Sequence, residues 1–194
     1  WTGDGTRSKD GVDLSLTLTT TVNQVRQKIQ AVVKANLEDI GFEIKLEQVD
    51  SGIFFDSSPG NDQSNTHFYT DMNMFTSGVG APPPVAFMVR WYAGPNNEEI
   101  AQKENGWAGR NIHRWKNEEY DALYEQAQVE SDPEKQAEIF IQLNDIVIDN
   151  NVVIPLVSPG NKQAYSRTLN ADNIGVGPFE FDYWNIANWN RVEG

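Results

Sequence analysis

Leu14, Leu16 and Leu18 alternate with Asp13, Ser15, Thr17 and Thr19. This is the period-two pattern of a half-buried strand, and it predicts one over residues 13–20. Val25, Ile29, Val32, Val33, Asn36, Leu37 and Ile40 then recur at spacings of three and four, and Gly41 follows as a stop. Residues 23–40 therefore read as an amphipathic helix. Alternation resumes over residues 42–49. Strand, helix and strand with short connections form the pattern of a right-handed crossover, so the two strands are expected side by side and parallel.

Residues 57–65, rich in Ser, Pro, Gly, Asn and Asp, read as a mobile loop. A third strand is expected over 71–76, ending where Pro82, Pro83 and Pro84 can no longer donate to a ladder. Residues 85–92 read as a short helix and 96–110 as a polar connection. Asn117 suits the N-cap of a helix carrying Tyr120, Leu123, Tyr124 and Ala127. Asp132 with Pro133 opens another, expected to bury Ala137, Ile139, Phe140, Leu143, Ile146 and Val147. The run over 152–157 suits a strand buried on both faces. Beyond residue 160 the chain has strand-and-turn character, and Phe179, Phe181, Tyr183, Trp184, Ile186 and Trp189 look too apolar to be left in water. No internal repeat is visible.

Composition narrows the function. The 194 residues make one or two domains, and 39% hydrophobic content suffices for a core. Fifteen basic against 28 acidic residues give a net charge of −13, which argues against a nucleic-acid partner. With no cysteine there is no disulfide framework, thiolate metal site or thiol nucleophile. Neither an initiating Met, nor an apolar run of membrane-spanning length, nor a leader before Trp1 is present, so the chain is expected to be a mature or excised fragment.

Local motifs for chemistry are weak. Asp4, Asp10 and Asp13 superficially suggest a calcium loop, but the sixth and twelfth positions from Asp4 are Lys9 and Ser15 rather than Gly and Glu. Gly78-Val79-Gly80 follows a strand, yet Pro83 stands where a dinucleotide fingerprint needs its third glycine. His67 and His113 are the only histidines and lack metal-ligand spacing; His113 reads as a surface or capping residue. No Gly-x-Ser-x-Gly occurs, and nothing singles out a carboxylate pair for hydrolysis. Neither a metal nor a cofactor is expected. Trp91, Trp107, Trp115, Trp184 and Trp189 read first as packing anchors and second as ring faces for a ligand.

Three segments in order carry a resemblance: Asn117-Glu118-Glu119-Tyr120-Asp121-Ala122-Leu123, then Ser131-Asp132-Pro133-Glu134-Lys135-Gln136, then Ile154-Pro155-Leu156. Together they resemble the C-terminal lobe of ABC-transporter extracellular solute-binding proteins of family five, the oligopeptide, dipeptide and nickel type. The resemblance implies an α/β fold, a mixed sheet flanked by helices, as in one lobe of a type II periplasmic-binding-protein architecture. Residues 1–160 would form most of that lobe, and 161–194 a tail packing on it or toward a missing N-terminal lobe. It further implies a non-enzymatic, monomeric, extracytoplasmic protein, periplasmic or lipid-anchored. Such a protein captures a small-molecule or peptide-like solute between two lobes and presents it to an ABC-importer permease. An extracytoplasmic sensory or hydrolase lobe that keeps the fold is the alternative.

By the same resemblance the ligand-facing segment comprises Met74, Thr76, Ser77, Gly78, Val79 and Gly80. The family reads Trp-x-Ala-Asp-Tyr-Pro-Asp-Pro there, and its first Asp pairs with a peptide's amino terminus. Here Ser77 takes the Trp position, Gly80 the first Asp and Pro83 the second. The implied wall is open and without negative charge, suited to a neutral, anionic or bulky solute.

Overall fold

The computed structural model describes residues 4–78, 84–158, 160, 164–170, 174 and 183–192. The chain divides into two compact units, Trp1–Thr76 with Arg90–Asn117, and Ser77–Val89 with Glu118–Gly194.

The first unit opens with a ribbon, β1 (Ser8–Lys9) against β2 (Val12–Asp13), antiparallel. Its two-residue turn is Asp10-Gly11, both at positive φ (52° and 78°), the hairpin geometry that this dipeptide favours. The segment that superficially suggested a calcium loop is this hairpin.

The sheet behind it is parallel, in the order β4-β3-β5. β3 (Ser15–Thr21) pairs with β4 (Glu43–Val49) along its whole length, from Ser15 opposite Glu43 to Thr21 opposite Val49. Between them runs α1 (Gln24–Glu38), so the parallel crossover read from the period-two and period-3.6 patterns is what forms. Gly41 (φ +94°) turns the chain from α1 into β4. A Cβ there would lie 2.6 Å from Arg7 Cγ, and Arg7 N–H donates to the Gly41 carbonyl (2.8 Å), so both conformation and space require glycine. The packing of α1 is selective: Ile29, Val33 and Leu37 are half-buried, Val25 and Val32 are exposed, and the one fully buried residue is Gln30.

The third strand is shorter than the 71–76 expected. β5 (Met72–Asn73) pairs only with Leu18 and Thr19. Side chains extend the association at both ends: the Asp71 carboxylate accepts from Thr17 N–H (2.7 Å), and Thr20 Oγ1 donates to the Met74 carbonyl (2.7 Å). Between β4 and β5 lies α2 (Ser51–Phe54), capped by Asp50. The loop after it is pinned by Asn61, whose side-chain amide donates to the carbonyls of Ile53 and Asp56.

Residues 90–117 complete this unit. Ile100 and Asn111 form an isolated parallel bridge, and the buried Asn111 amide donates to the Tyr92 and Trp115 carbonyls (3.3 and 2.8 Å). Gly109 permits the close passage of this backbone: a Cβ there would meet the Glu99 carbonyl oxygen at 2.3 Å.

The longer elements of the second unit are helices, and among the described residues of its tail Leu169 and Arg191 form an isolated antiparallel bridge. α3 (Val85–Met88) is tied to α4 (Glu118–Val129) by two phenols, Tyr120 donating to the Met88 carbonyl (2.7 Å) and Tyr124 to that of Val85 (3.2 Å). Burial raises the Tyr120 phenol far above its ordinary pKa, so it stays a donor. α5 (Pro133–Asp149) starts at Asp132, whose carboxylate accepts from Glu134 and Lys135 N–H. Gln136 on its first turns donates to the Ala127 and Glu130 carbonyls, closing the end of α4. Ile139, Phe140, Leu143 and Val147 are buried as expected; Ala137 is exposed and Ile146 half-buried.

Two expectations fail in this unit. Residues 152–157 form no strand; Ile154, Leu156 and Val157 are 71%, 46% and 67% exposed. A buried strand needs ladder partners, and none of the described strands pairs with this run, in which Pro155 also lacks a donor. In the tail, Tyr183, Trp184 and Ile186 are exposed, while Trp189 is half-buried, with Nε1 donating to Asn185 Oδ1 (2.8 Å). Phe179 and Phe181 lie outside the described residues.

Candidate functional site

In open α/β sheets, ligands bind beyond the carboxyl ends of the parallel strands. In the first unit that edge is built from Thr19, Thr20 and Thr21 of β3, all buried, and the chain leaving β5. Met74 N–H donates to the Thr19 carbonyl (2.8 Å), which fixes Met74 half-buried against β3. Thr76 beyond it is exposed.

A charged side chain that joins the end of β3 to the chain leaving β5 is Arg26. Asn23 caps α1, its side chain accepting from the N–H groups of Val25 and Arg26 (3.0 and 3.1 Å), so Arg26 falls in the first helical turn. Its guanidinium donates to Thr21 Oγ1 (2.8 Å) and, at 3.4 Å, to Thr76 Oγ1. It also lies 6.0 Å from the Phe55 ring centroid. Phe55 packs edge-on against Phe54 (4.9 Å between centroids) and Phe75 (6.2 Å), and remains 48% exposed. Val22, Val25 and Ile53 are exposed as well. The result is a cation beside an exposed aromatic ring, a combination found in many ligand sites.

A second feature of this edge is a recess of about 40 Å³ lined by Thr19, Glu47, Asp62, Ser64, Tyr69 and Asn73 among others, with room for water only. Glu47 in its wall accepts from Thr19 Oγ1 (3.1 Å).

The histidines are structural. His67 is fully buried and stacks on Trp107 (4.2 Å between centroids). The expected surface or capping role of His113 is not what forms: it packs near Phe68 and Trp91, and burial pulls its pKa down, partly opposed by a hydrogen bond with the Arg90 backbone. Arg114 locks the cluster, donating to the carbonyls of Ala101 (3.1 Å), His67 and Phe68, with its guanidinium 5.4 Å from the Trp107 ring centroid. Trp91 and Trp107 are thus buried anchors, whereas Trp184 is exposed.

Of the segment expected to face ligand, Met74 is half-buried against the sheet, Thr76 and Ser77 are exposed, and Gly78 is half-buried. Val79 and Gly80 lie outside the described residues. The chain passes from one unit to the other between Thr76 and Ser77. Arg26 was not foreseen. Its signal in the sequence is a cation in the first turn of a helix, against the macrodipole, a placement that costs roughly 0.3–1 kcal/mol and so invites a reason.

The architecture is that of the ABC-transporter solute-binding proteins of family five, the oligopeptide- and nickel-binding type, and the proteins similar to this chain in sequence and in structure are of that kind. Among them is the oligopeptide-binding protein AppA of Bacillus subtilis, 27% identical over 191 residues, covering 96% of this chain and 31% of AppA. The structure of AppA in complex with a nonapeptide matches at a TM-score of 0.72 and 26% identity, over 98% of this chain and 34% of that one. For the fold alone, the oligopeptide-binding protein from Thermus thermophilus with a pentapeptide matches at 0.64 (24% identity; 76% and 25% covered). NikZ from Campylobacter jejuni with Ni(L-His) matches at 0.60 (16%; 78% and 27%). No protein-family model matches the chain. The chain spans about a third of the length of AppA. No helix of the described residues is long and apolar enough to cross a membrane.

Proposed function

We propose that this chain is the larger part of the C-terminal lobe of an extracytoplasmic, non-enzymatic solute-binding protein. That protein closes two lobes on a peptide-like or other small solute and hands it to an ABC-importer permease. The observation that carries the reading is the match to peptide-bound AppA over 98% of this chain at 26% identity. The open sheet edge, with exposed Thr76 and exposed Phe55, supports it, since one lobe contributes one wall of such a cleft. In this reading residues 1–160 form the lobe, 161–194 pack on it or toward the other lobe, the protein acts as a monomer, and Met74 to Gly80 face the solute.

The test is small-angle scattering and calorimetry on the full-length protein with a mixed peptide library. Ligand-dependent compaction with no chemical change in the recovered ligand supports the proposal. Turnover of the ligand, or binding without any closure, favours a hydrolase or sensory lobe on the same fold.

A further inference from the structure

At positive φ a Cβ is crowded by its own backbone, and after glycine it is Asn and Asp that tolerate this best. Among the described residues seven others than glycine adopt it, and four of these are Asp10, Asn96, Asn97 and Asn151. The remaining three are Phe68, Trp107 and Arg114, at φ 46°, 63° and 54°. They meet in one cluster of the first unit. The Arg114 guanidinium donates to the carbonyls of His67 and Phe68 (3.5 Å to the latter) and lies 5.4 Å from the centroid of the Trp107 ring, on which His67 stacks. Backbone strain of this kind persists only where its surroundings hold it, and it gathers at segments that switch.

The two sides of the cluster are held differently. On the side of Trp107 and Arg114 the backbone is tied to itself, Asn111 N–H donating to the Glu99 carbonyl (2.8 Å) and Ala101 N–H to that of Asn111 (3.1 Å). On the side of Phe68, residues 61–73 form a strap. Its Asp62, Ser64, Tyr69 and Thr70 line the small recess whose other wall includes Thr19 of β3 and Glu47 of β4. The strap is fastened near its start by Asn65 N–H on the Phe54 carbonyl (2.9 Å), and at its end by Asp71 and β5. Between those points, among the described residues, the hydrogen bonds that reach 66–70 from outside the strap are the two from Arg114. Tyr69 beside them is 58% exposed.

We propose that Arg114 is a latch from which this strap opens as a local unit while the β3–β4 pair stays formed. The left-handed backbone at Phe68, Trp107 and Arg114 favours release, and the guanidinium fork opposes it. Opening uncovers Thr19 and Glu47 and loosens the entry to β5, whose pairing with β3 spans only Met72 and Asn73. Met74 and Thr76 follow directly, so the latch sets the placement of the segment proposed to face solute. That last consequence rests on the solute-binding reading above; the latch itself does not.

The test is hydrogen exchange, followed by mass spectrometry, on the full-length protein. The N–H groups of His67, Phe68 and Met74, all hydrogen-bonded in the closed strap, are the reporters, and the β3–β4 ladder is the control. Arg114→Gln should speed exchange over 66–74 by roughly tenfold or more and leave 15–21 and 43–49 within about twofold. Arg114→Lys, which keeps the charge but not the fork, should fall between. A second pair of variants reads the strain and does not depend on how Arg114 variants fold. Phe68→Gly and Phe68→Ala lose the same ring, and at an ordinary position the alanine variant is the better protected; here the glycine variant should be, by about two- to fivefold. Faster exchange spread evenly over the chain in Arg114→Gln, or none at 66–74, overturns the latch. Better protection in Phe68→Ala than in Phe68→Gly overturns the part assigned to strain. A mixed-sequence peptide library added to the wild-type protein should slow exchange over 66–74. Peptides that bind without doing so overturn the coupling to solute. If no peptide binds, the proposed function and that coupling both fail, while the latch is decided by the variants alone.

Discussion

The side-chain amide of Gln30 donates to the main-chain carbonyl of Leu18 at 2.6 Å, from a position with no exposed surface at all. The same nitrogen donates to the Glu47 carbonyl (3.0 Å), and Gln30 Oε1 accepts from Gln48 (3.2 Å). One helical side chain therefore joins both strands of the parallel pair. An apolar position on α1 would supply burial but no donor.

Gln30→Leu should accordingly destabilise the chain by about 1–3 kcal/mol, because two carbonyls lose a partner inside the fold. Gln30→Glu should cost more, since it turns the donor into an acceptor facing those carbonyls. Urea unfolding of the three proteins measures both. A neutral Gln30→Leu would mean that the carbonyls are satisfied by the ladder alone.

Gly109→Ala should be destabilising by about 1–3 kcal/mol, the range for forced overpacking. The added methyl would stand 2.3 Å from the Glu99 carbonyl oxygen and 2.5 Å from the Ile100 carbonyl carbon, backbone that cannot swing aside. Gly60→Ala is the control, with nothing within 4 Å of the new carbon. It should change stability by less than about 0.5 kcal/mol.

Stability should fall as pH drops from 7 toward 5. His113 has its pKa lowered in the fold, chiefly by burial, while in the unfolded chain it titrates near its ordinary value of about 6.5. Below that value the unfolded state binds a proton that the folded state resists, so unfolding gains until pH passes the folded pKa. His113→Phe, close in shape beside Phe68 and Trp91, should flatten this slope in urea midpoints taken from pH 7.5 to 5. An unchanged slope would assign the effect to other groups.

Much of the first unit was legible because its signals are local. Leu14 to Thr19 and the residues of 42–49 alternate, Asn23 and Gly41 bracket the helix between them, and the β3–β4 pair follows from chirality and loop length. β5 was legible in place but not in extent, since Asp71 and Thr20 associate through side chains, which no periodicity records. Residues 152–157 were misread for a different reason: an apolar run states that burial is favourable, not that a partner strand stands beside it. Arg26 escaped notice because its two threonine partners lie 5 and 50 residues away and meet only at the sheet edge.

The exposed run over 152–157 yields its own prediction. Ile154→Lys and Val157→Lys replace side chains already 71% and 67% exposed. Neither should lower the melting point of this isolated chain, and both should raise its solubility by breaking an exposed apolar, strand-prone segment. In the full-length protein the same substitutions should destabilise if the other lobe covers this run. Differential scanning calorimetry of the two forms side by side decides that.

On the proposed reading, in which a second lobe completes the site, this chain by itself should bind solutes weakly. Cleft-binding proteins enclose most of a ligand between two walls, whereas this chain offers one open sheet edge and, at that edge, a recess large enough only for water. If the chain is one wall of such a cleft, as proposed, apolar ligand surface stays in solvent on its open side. Calorimetry with peptides, sugars and amines on this chain should therefore show nothing tighter than roughly millimolar, near −4 kcal/mol. The full-length protein should bind its solute more tightly by several orders of magnitude. Micromolar binding by the isolated chain would mean that its own residues complete the site, and the second wall would then serve closure and delivery rather than affinity.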